Sequence, residues 1–331
     1  MMNLLKGIFF LSLLVMLVGC GSEPLSTDKK TSASVSTSQY PLKIKNVSSN
    51  MEERELVFNE APERVIAVWQ NSIETLIALG MGDKIIVANG LPGGESLRAE
   101  YQEAYQKIPT RSLRLVDRET LIALKPNFIL GWYSTFSEKE VGTTSFWQSR
   151  GVNTYIAKTS APITSRYRLE DEFQYIQEMG RIFAVEAKAD LVVSEMKNQI
   201  AETVKKSVCE KPPTVMIVEV TGKNFRTYGG KTLAGDIVEK LNGKLLPSES
   251  NIGKENLLEA NPDVIFVVIL ENQYQELNQV FATVKNDPAL QSLSSIKNNR
   301  IYPLPLYLIY CSGIRSSDAI REISKGLYPE L

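Results

Sequence analysis

The residues of this chain that could do chemistry are aromatic and cationic, and they follow short runs that read as β-strands. In the first half, Trp69 comes after Arg64–Val68, and Trp132 and Tyr133 come after Phe128–Leu130. In the second half, Arg226 and Tyr228 follow Thr214–Val220, and Tyr307, Tyr310 and Arg315 follow Ile301–Leu304. Ligands of open α/β sheets sit beyond the carboxyl ends of the strands, so these eight side chains are the candidate ligand-binding set. Aromatic faces offer broad apolar contact to organic rings, and guanidinium forks suit anionic oxygens. Together they fit a bulky, partly anionic organic chelate. A bare metal ion would need a compact cluster of hard or nitrogen ligands instead. The 331 residues contain no histidine, which removes Ser–His–Asp and Cys–His nucleophiles and the usual zinc sites. No catalytic, metal or resident-cofactor site is expected. Gly229-Gly230-Lys231-Thr232 lacks the spacing of a phosphate loop.

The elements that must position these residues are legible as an alternation. β-Branched runs at Arg64–Trp69, Ile85–Ala88, Phe128–Trp132, Thr154–Ala157, Thr214–Val220, Val264–Leu270 and Ile301–Leu304 are separated by helical stretches. That order predicts an α/β fold with mostly parallel sheets. A weak internal repeat adds two similar Rossmann-like lobes: 118–131 (RETLIALKPNFILG) matches 254–267 (KENLLEANPDVIFV), with Glu119, Leu121, Pro126 and Ile129 facing Glu255, Leu257, Pro262 and Ile265. Glu74–Leu79 and Asp236–Leu241 form a fainter pair, each an acid opening a helix. Between the halves, 169–208 carries apolar residues at helical spacing, with Gly180 marking a break near 180–186. This stretch is expected to be a single long rigid connecting helix, with the ligand cleft between the lobes.

The N-terminus reads as an address. One lysine and a 13-residue apolar run, Gly7–Gly19, precede Cys20; a helix of that length rises only about 20 Å, too short to span a bilayer core. Residues 21–40 are rich in Ser and Thr and cannot bury enough surface to fold, which suggests a tether. The expected organisation is a signal peptide at 1–19, Cys20 and a tether at 20–40, a first lobe at 41–168, a connector at 169–208 and a second lobe at 209–331. A net charge of −1 gives no field for holding nucleic acid. Cys209 and Cys311 would lie at opposite ends of a parallel sheet, about 23 Å apart for seven residues, so both are expected to be free, buried thiols.

Leu17-Val18-Gly19-Cys20 resembles a bacterial lipobox, which implies cleavage before Cys20 and a lipid on its sulfur. The series Pro62-Glu63-Arg64-Val65-Ile66-Ala67, Glu74–Asp83 (ETLIALGMGD), Leu124-Lys125-Pro126-Asn127 and Ala260-Asn261-Pro262-Asp263 resembles the helical-backbone substrate-binding proteins of ABC importers for iron–siderophores, haem and cobalamin. The resemblance covers roughly residues 50–331; Asn127 departs from it, the family having Asp after this Pro. It implies a monomeric receptor, lipid-anchored on the extracytoplasmic face, that captures an organic metal complex. A ferric siderophore is expected first, cobalamin or haem as alternatives, and delivery is to a permease dimer and its ATPase. It also implies that Glu74 and Asp236 sit on the lobe tips and dock the permease. A surface adhesin or sensor that kept the fold is the reading outside transport.

Overall fold

The computed structural model describes residues 39–330, apart from 92–95, 163–164, 209–210, 248, 271–272 and 274–275. The leader, Cys20, the tether to residue 38 and Cys209 lie outside the described residues. Gln39–Leu331 forms one compact unit.

In chain order, an antiparallel hairpin β1 (Leu42–Val47) and β2 (Glu53–Phe58) precedes the first sheet. That sheet contains β3 (Val65–Val68), β4 (Ile85–Asn89), β5 (Thr110–Ser112), β6 (Phe128–Gly131) and β7 (Asn153–Ile156), with α1 (Gln70–Ala78), α2 (Gln102–Gln106), α3 (Arg118–Ala123) and α4 (Thr144–Gln148) between them. All its pairings are parallel, in the order β5-β4-β3-β6-β7. After α5 (Leu169–Ile182) and α6 (Glu186–Ser207) comes the second sheet. It holds β8 (Thr214–Thr221), β9 (Asn224–Thr227), β10 (Lys244–Leu245), β11 (Asn251–Ile252), β12 (Val264–Ile269) and β13 (Ile301–Pro305). Its helices are α7 (Leu233–Lys240), α8 (Lys254–Ala260), α9 (Leu277–Lys285), α10 (Ser294–Lys297) and the C-terminal α11 (Ser316–Leu327). Strands β10, β8, β12 and β13 are parallel; β9 runs against β8, and β11, antiparallel to β9, returns to their direction.

The sheets are covered on both faces, which is why their strands read as unbroken apolar runs. Val65 and Ala67 of β3 face one core cluster and Ile66 and Val68 another. Val215 and Ile217 of β8 face the same first cluster, while Met216 and Val218 face a third. One core therefore runs continuously from lobe to lobe.

The sequence repeat has a common mechanical basis. Helices α3 and α8 each end on a left-handed residue before a proline, Lys125 at φ 48° and Asn261 at φ 40°. The residue after each proline then ties down the start of the neighbouring strand. Asn127 Oδ1 accepts from Arg64 N at 3.0 Å, and Asp263 Oδ2 accepts from Thr214 N at 2.8 Å. Only an acceptor oxygen is needed, so the amide at 127 serves as well as the acid at 263.

The expected connector is two helices. Ala184 takes φ 57° and Val185 N donates to Gly180 O at 2.8 Å, which closes α5. The chain then folds back, so a Cβ on Gly180 would lie 2.5 Å from Ala189 Cβ. The 22-residue α6 alone, about 33 Å at the helical rise, is the long connector, packed on α5 and α11.

The lobes are also fastened by buried charge. Arg315, which arrives from β13, donates from Nε to Glu74 Oε2 at 2.8 Å and from Nη1 to Asp318 Oδ2 at 2.7 Å. Arg98 of the first lobe donates to Asp318 Oδ2 at 2.9 Å. Gly313 N donates to Glu172 Oε2 at 2.7 Å. Removing one member of a buried ionic network strands the others, a loss of about 3–5 kcal/mol. Arg315→Met is therefore expected to lower unfolding stability by about 3 kcal/mol or more in urea titrations. Arg321→Met, whose side chain is 49% exposed, should cost below about 1 kcal/mol. Equal costs would mean that the network does not carry the lobe junction.

Candidate ligand cleft

In the first sheet the strand order reverses between β3 and β6, which have neighbours on opposite sides. Trp69 and Trp132 leave the carboxyl ends of those two strands, at the switch point where open α/β sheets take ligands. Their rings stack at 4.9 Å between centroids, 24° from parallel. Buried Thr135 holds both: its Oγ1 accepts from Trp69 Nε1 at 3.0 Å and from Trp132 N at 3.1 Å. Trp132 Nε1 donates to Asn71 Oδ1 at 2.8 Å. Across from them Tyr310 of the second lobe, 39% exposed, meets Trp132 edge-on at 5.3 Å. An aromatic wall thus bridges the two lobes.

Beside Tyr310 opens a cavity of about 380 Å³ at the carboxyl ends of β8, β12 and β13, where Glu219, Leu270 and Leu306 line it. Leu233 and Ile309 extend the apolar surface, and Thr159 and Tyr167 close it from the first-lobe side. Arg226 and Tyr228 enter because β9 turns back against β8 and puts Arg226 directly opposite Glu219. Arg226 Nη1 lies 3.5 Å from Glu219 Oε2, and Tyr228 OH donates to the same oxygen at 2.6 Å. Burial raises the Tyr228 phenol, and the Glu219 hydrogen bond and charge push it further the same way. Burial likewise raises the Tyr310 phenol and the Cys311 thiol.

Of the candidate residues, Arg226, Tyr228 and Tyr310 line this cavity, and Trp132 and Trp69 stand in the wall beside it. Tyr133 packs on the first-lobe core, its N–H on Ser160 Oγ at 2.7 Å. Arg315 and Tyr307 are not in the cleft: Arg315 is buried in the lobe junction and lies 4.8 Å over the Tyr307 ring. Cys311 is free and buried as expected, and it also lines the cavity. Trp147 is buried packing. Sequence reasoning missed Glu219. The available signal was an acid inside an apolar strand, three residues before the turn at Gly222 that brings β9 back.

The placement of the two acids as exposed lobe tips is corrected. Glu74 is 0% exposed and lies in the middle of α1, with Oε1 accepting from Arg98 N at 3.0 Å and Oε2 taken by Gln70 and Arg315. Burial raises its pKa against the opposing pull of Arg315. Asp236 is 4% exposed; its oxygens accept from Arg166 Nη2 at 3.2 Å and from Leu169 N, the start of α5, at 2.9 Å. Both side chains are spent on partners inside the protein.

The family model described as periplasmic binding protein matches residues 65–308. The chain belongs to the periplasmic binding protein family. A periplasmic binding protein from Veillonella parvula superposes with TM-score 0.85 at 40% identity, over 88% of this chain and 93% of that one. An uncharacterised ABC transporter substrate-binding lipoprotein of Bacillus subtilis is 22% identical over 96% of this chain and 94% of its own length. A vitamin B12-binding protein of Vibrio parahaemolyticus is 24% identical over 80% of this chain and 89% of its own. This family member is thus an extracytoplasmic solute-binding protein of the ABC-importer type, with two α/β lobes.

Gly90 sets the tryptophan wall. It has φ 80°, and a Cβ there would lie 2.5 Å from Trp69 Cε3. Trp69 itself is held at φ 72°, a strained setting for a bulky residue. Gly90→Ala should cost about 1–3 kcal/mol and abolish the exciton couplet of the stacked indoles in circular dichroism. Retention of the couplet would show that the ring does not depend on the missing side chain.

Proposed function

We propose that this family member is a lipid-anchored receptor, held through Cys20, that captures an organic metal complex between its lobes and hands it to an ABC permease. A ferric siderophore is the first-choice cargo. The observation that carries the reading is the wall Trp69–Trp132–Tyr310 beside an apolar cavity at the strand ends. Flat indole and phenol faces bury a chelate rim without needing to coordinate its metal. No group of three or more Cys, Asp and Glu able to hold a metal ion occurs among the described residues, so the metal would enter inside its organic complex. The vitamin B12-binding relative favours a corrinoid as the second cargo. Haem is less well served, since burial raises the Tyr310 phenol and opposes the phenolate that would ligate iron.

Docking falls to another acidic pair. Glu119 and Glu255, matched by the sequence repeat, are both exposed in the first turns of α3 and α8. Each helix feeds a parallel strand, so its N-terminal turn lies on the carboxyl-end side of its sheet, the side of the cleft. Two separated carboxylates at equivalent places would fix orientation on a two-fold permease and steer encounter.

Two measurements test this. Titration of the tryptophan fluorescence with ferric hydroxamate, ferric catecholate, ferric citrate, cobalamin and haemin should give saturable quenching by one of them, at least about tenfold weaker in Trp132→Ala. Absence of any response from the folded protein would move the assignment to the adhesin or sensor reading. Glu119→Arg with Glu255→Arg should abolish uptake by cells while ligand affinity stays within about twofold. Normal uptake would remove these two residues from docking.

A further inference from the structure

Among the described residues that line the cleft the charges cancel, although the sequence promised cationic residues. Among the described lining residues Arg226 is the one cation and Glu219 the one acid, and they face each other across β8 and β9. The Glu219 side chain is 6% exposed and that of Arg226 57% exposed. Glu219 is fixed from two directions, by Arg226 Nη1 at 3.5 Å and by the Tyr228 hydroxyl at 2.6 Å. The remaining polar groups add no charge: Tyr167, Tyr228, Tyr310 and Cys311 all have their ionisation pushed upward by burial. The other cation expected here, Arg315, is sealed in the lobe junction on Glu74 and Asp318. Around the pair the walls are Leu233, Leu270, Leu306 and Ile309.

We infer that Glu219 is a specificity-determining residue: by occupying Arg226 it keeps the cleft at zero net charge and selects uncharged metal complexes over anionic ones. The inference rests on the chelate-receptor reading above and deepens it. An anion entering an apolar cleft loses its hydration and finds no surplus counter-charge, a cost that an uncharged complex of the same shape avoids. A ferric trihydroxamate, in which three monoanionic ligands balance the iron, meets this condition, as does a neutral corrinoid. A ferric tricatecholate, a trianion, does not. Losing the Glu219 charge would release the Arg226 guanidinium and give the cleft a net positive charge. Losing the Arg226 charge would leave it negative.

The test uses the full chain in detergent micelles and two scaffolds, each in an uncharged and a monoanionic form. One is a linear ferric trihydroxamate whose terminal amine is N-acetylated or N-succinylated; the other is cobalamin or its monocarboxylic acid derivative. Affinities are read by isothermal calorimetry. On whichever scaffold binds, the uncharged form should bind at least about tenfold tighter. Glu219→Gln should shrink that ratio about tenfold, and Arg226→Gln should widen it. The paired variants keep the question answerable if one of them fails to fold. Equal affinity for the charged and uncharged forms, or a ratio unmoved by both substitutions, would overturn the role of Glu219 while leaving the receptor reading intact. Tight binding of a ferric tricatecholate by the unmodified protein would overturn it too. Binding of neither scaffold, nor of the tricatecholate, ferric citrate or haemin, would overturn the chelate-receptor reading itself, and this inference with it.

Discussion

The structure depends on how two buried carboxylates are held where the lobes meet. Glu74 of the first lobe grips Arg315, which the chain delivers 241 residues later from the second sheet. Asp236 of the second lobe grips Leu169 N and Arg166, at the entry to α5. Each lobe thus contributes an acid, Glu74 from the middle of α1 and Asp236 from the first turn of α7, and uses it to catch a segment from outside that lobe. A carboxylate at less than 5% exposure is tolerable only with charged or N–H partners in place. Burial alone would raise the Asp318 carboxyl, but the hydrogen bonds from Arg98 and Arg315 outweigh it and hold it below the usual range. The junction is specific because it is unforgiving: the ionic network and the continuous core both lose their partners if the lobes part far. Capture must then rely on small displacements and on side chains such as the half-exposed Tyr310, rather than on wide hinge opening.

Strain concentrates where that fixed frame meets the cleft. Trp69 and Cys311 have φ 72° and 46°, and both flank the aromatic wall or the cavity. In each case the neighbours over-determine the conformation. Trp69 N donates to Asn89 O at 2.8 Å while its indole is tied to Thr135. Two residues beyond Cys311, Gly313 N is fixed on Glu172. The wall is therefore built in advance by the backbone, and a flat ligand need not pay the entropy of ordering it.

Much of this was legible in the sequence, and the failures have a common origin. Apolar runs, proline stops and the repeat gave the two lobes, because strand burial and helix termination are set within a few residues. The strand ends gave Trp69 and Trp132, because side chains leaving the carboxyl ends of parallel strands meet at the cleft, whereas Tyr228 is brought in by the returning β9 and Tyr310 by the turn beyond β13. What sequence could not show was which charges find each other. Glu74 looks the same beside Ile73 and Leu76 whether it faces water or the core, and only Arg315 on the far lobe decides it. The connector divides into two helices at the break Gly180 marked, but the fold-back of α6 on α5 rests on the close approach of Ala189 to Gly180, a tertiary contact that no periodicity reports. Glu219 was hidden by a similar dependence, its partner lying on a returning strand that the apolar pattern did not announce.

This division of charge also explains how one molecule can serve two recognition tasks. Ligand binding happens in a confined, apolar site, where any unbalanced charge acts strongly and would trap or repel cargo. Permease encounter happens in water over longer range, where separated surface charges steer without a desolvation cost. Among the described residues the interior acids are committed, Glu74 and Asp236 to the junction and Glu219 to Arg226. Steering is then left to exposed acids such as Glu119 and Glu255. A substitution at the cleft can change which complex is carried without altering the docking surface, and the docking charges can follow a different permease without altering the cargo.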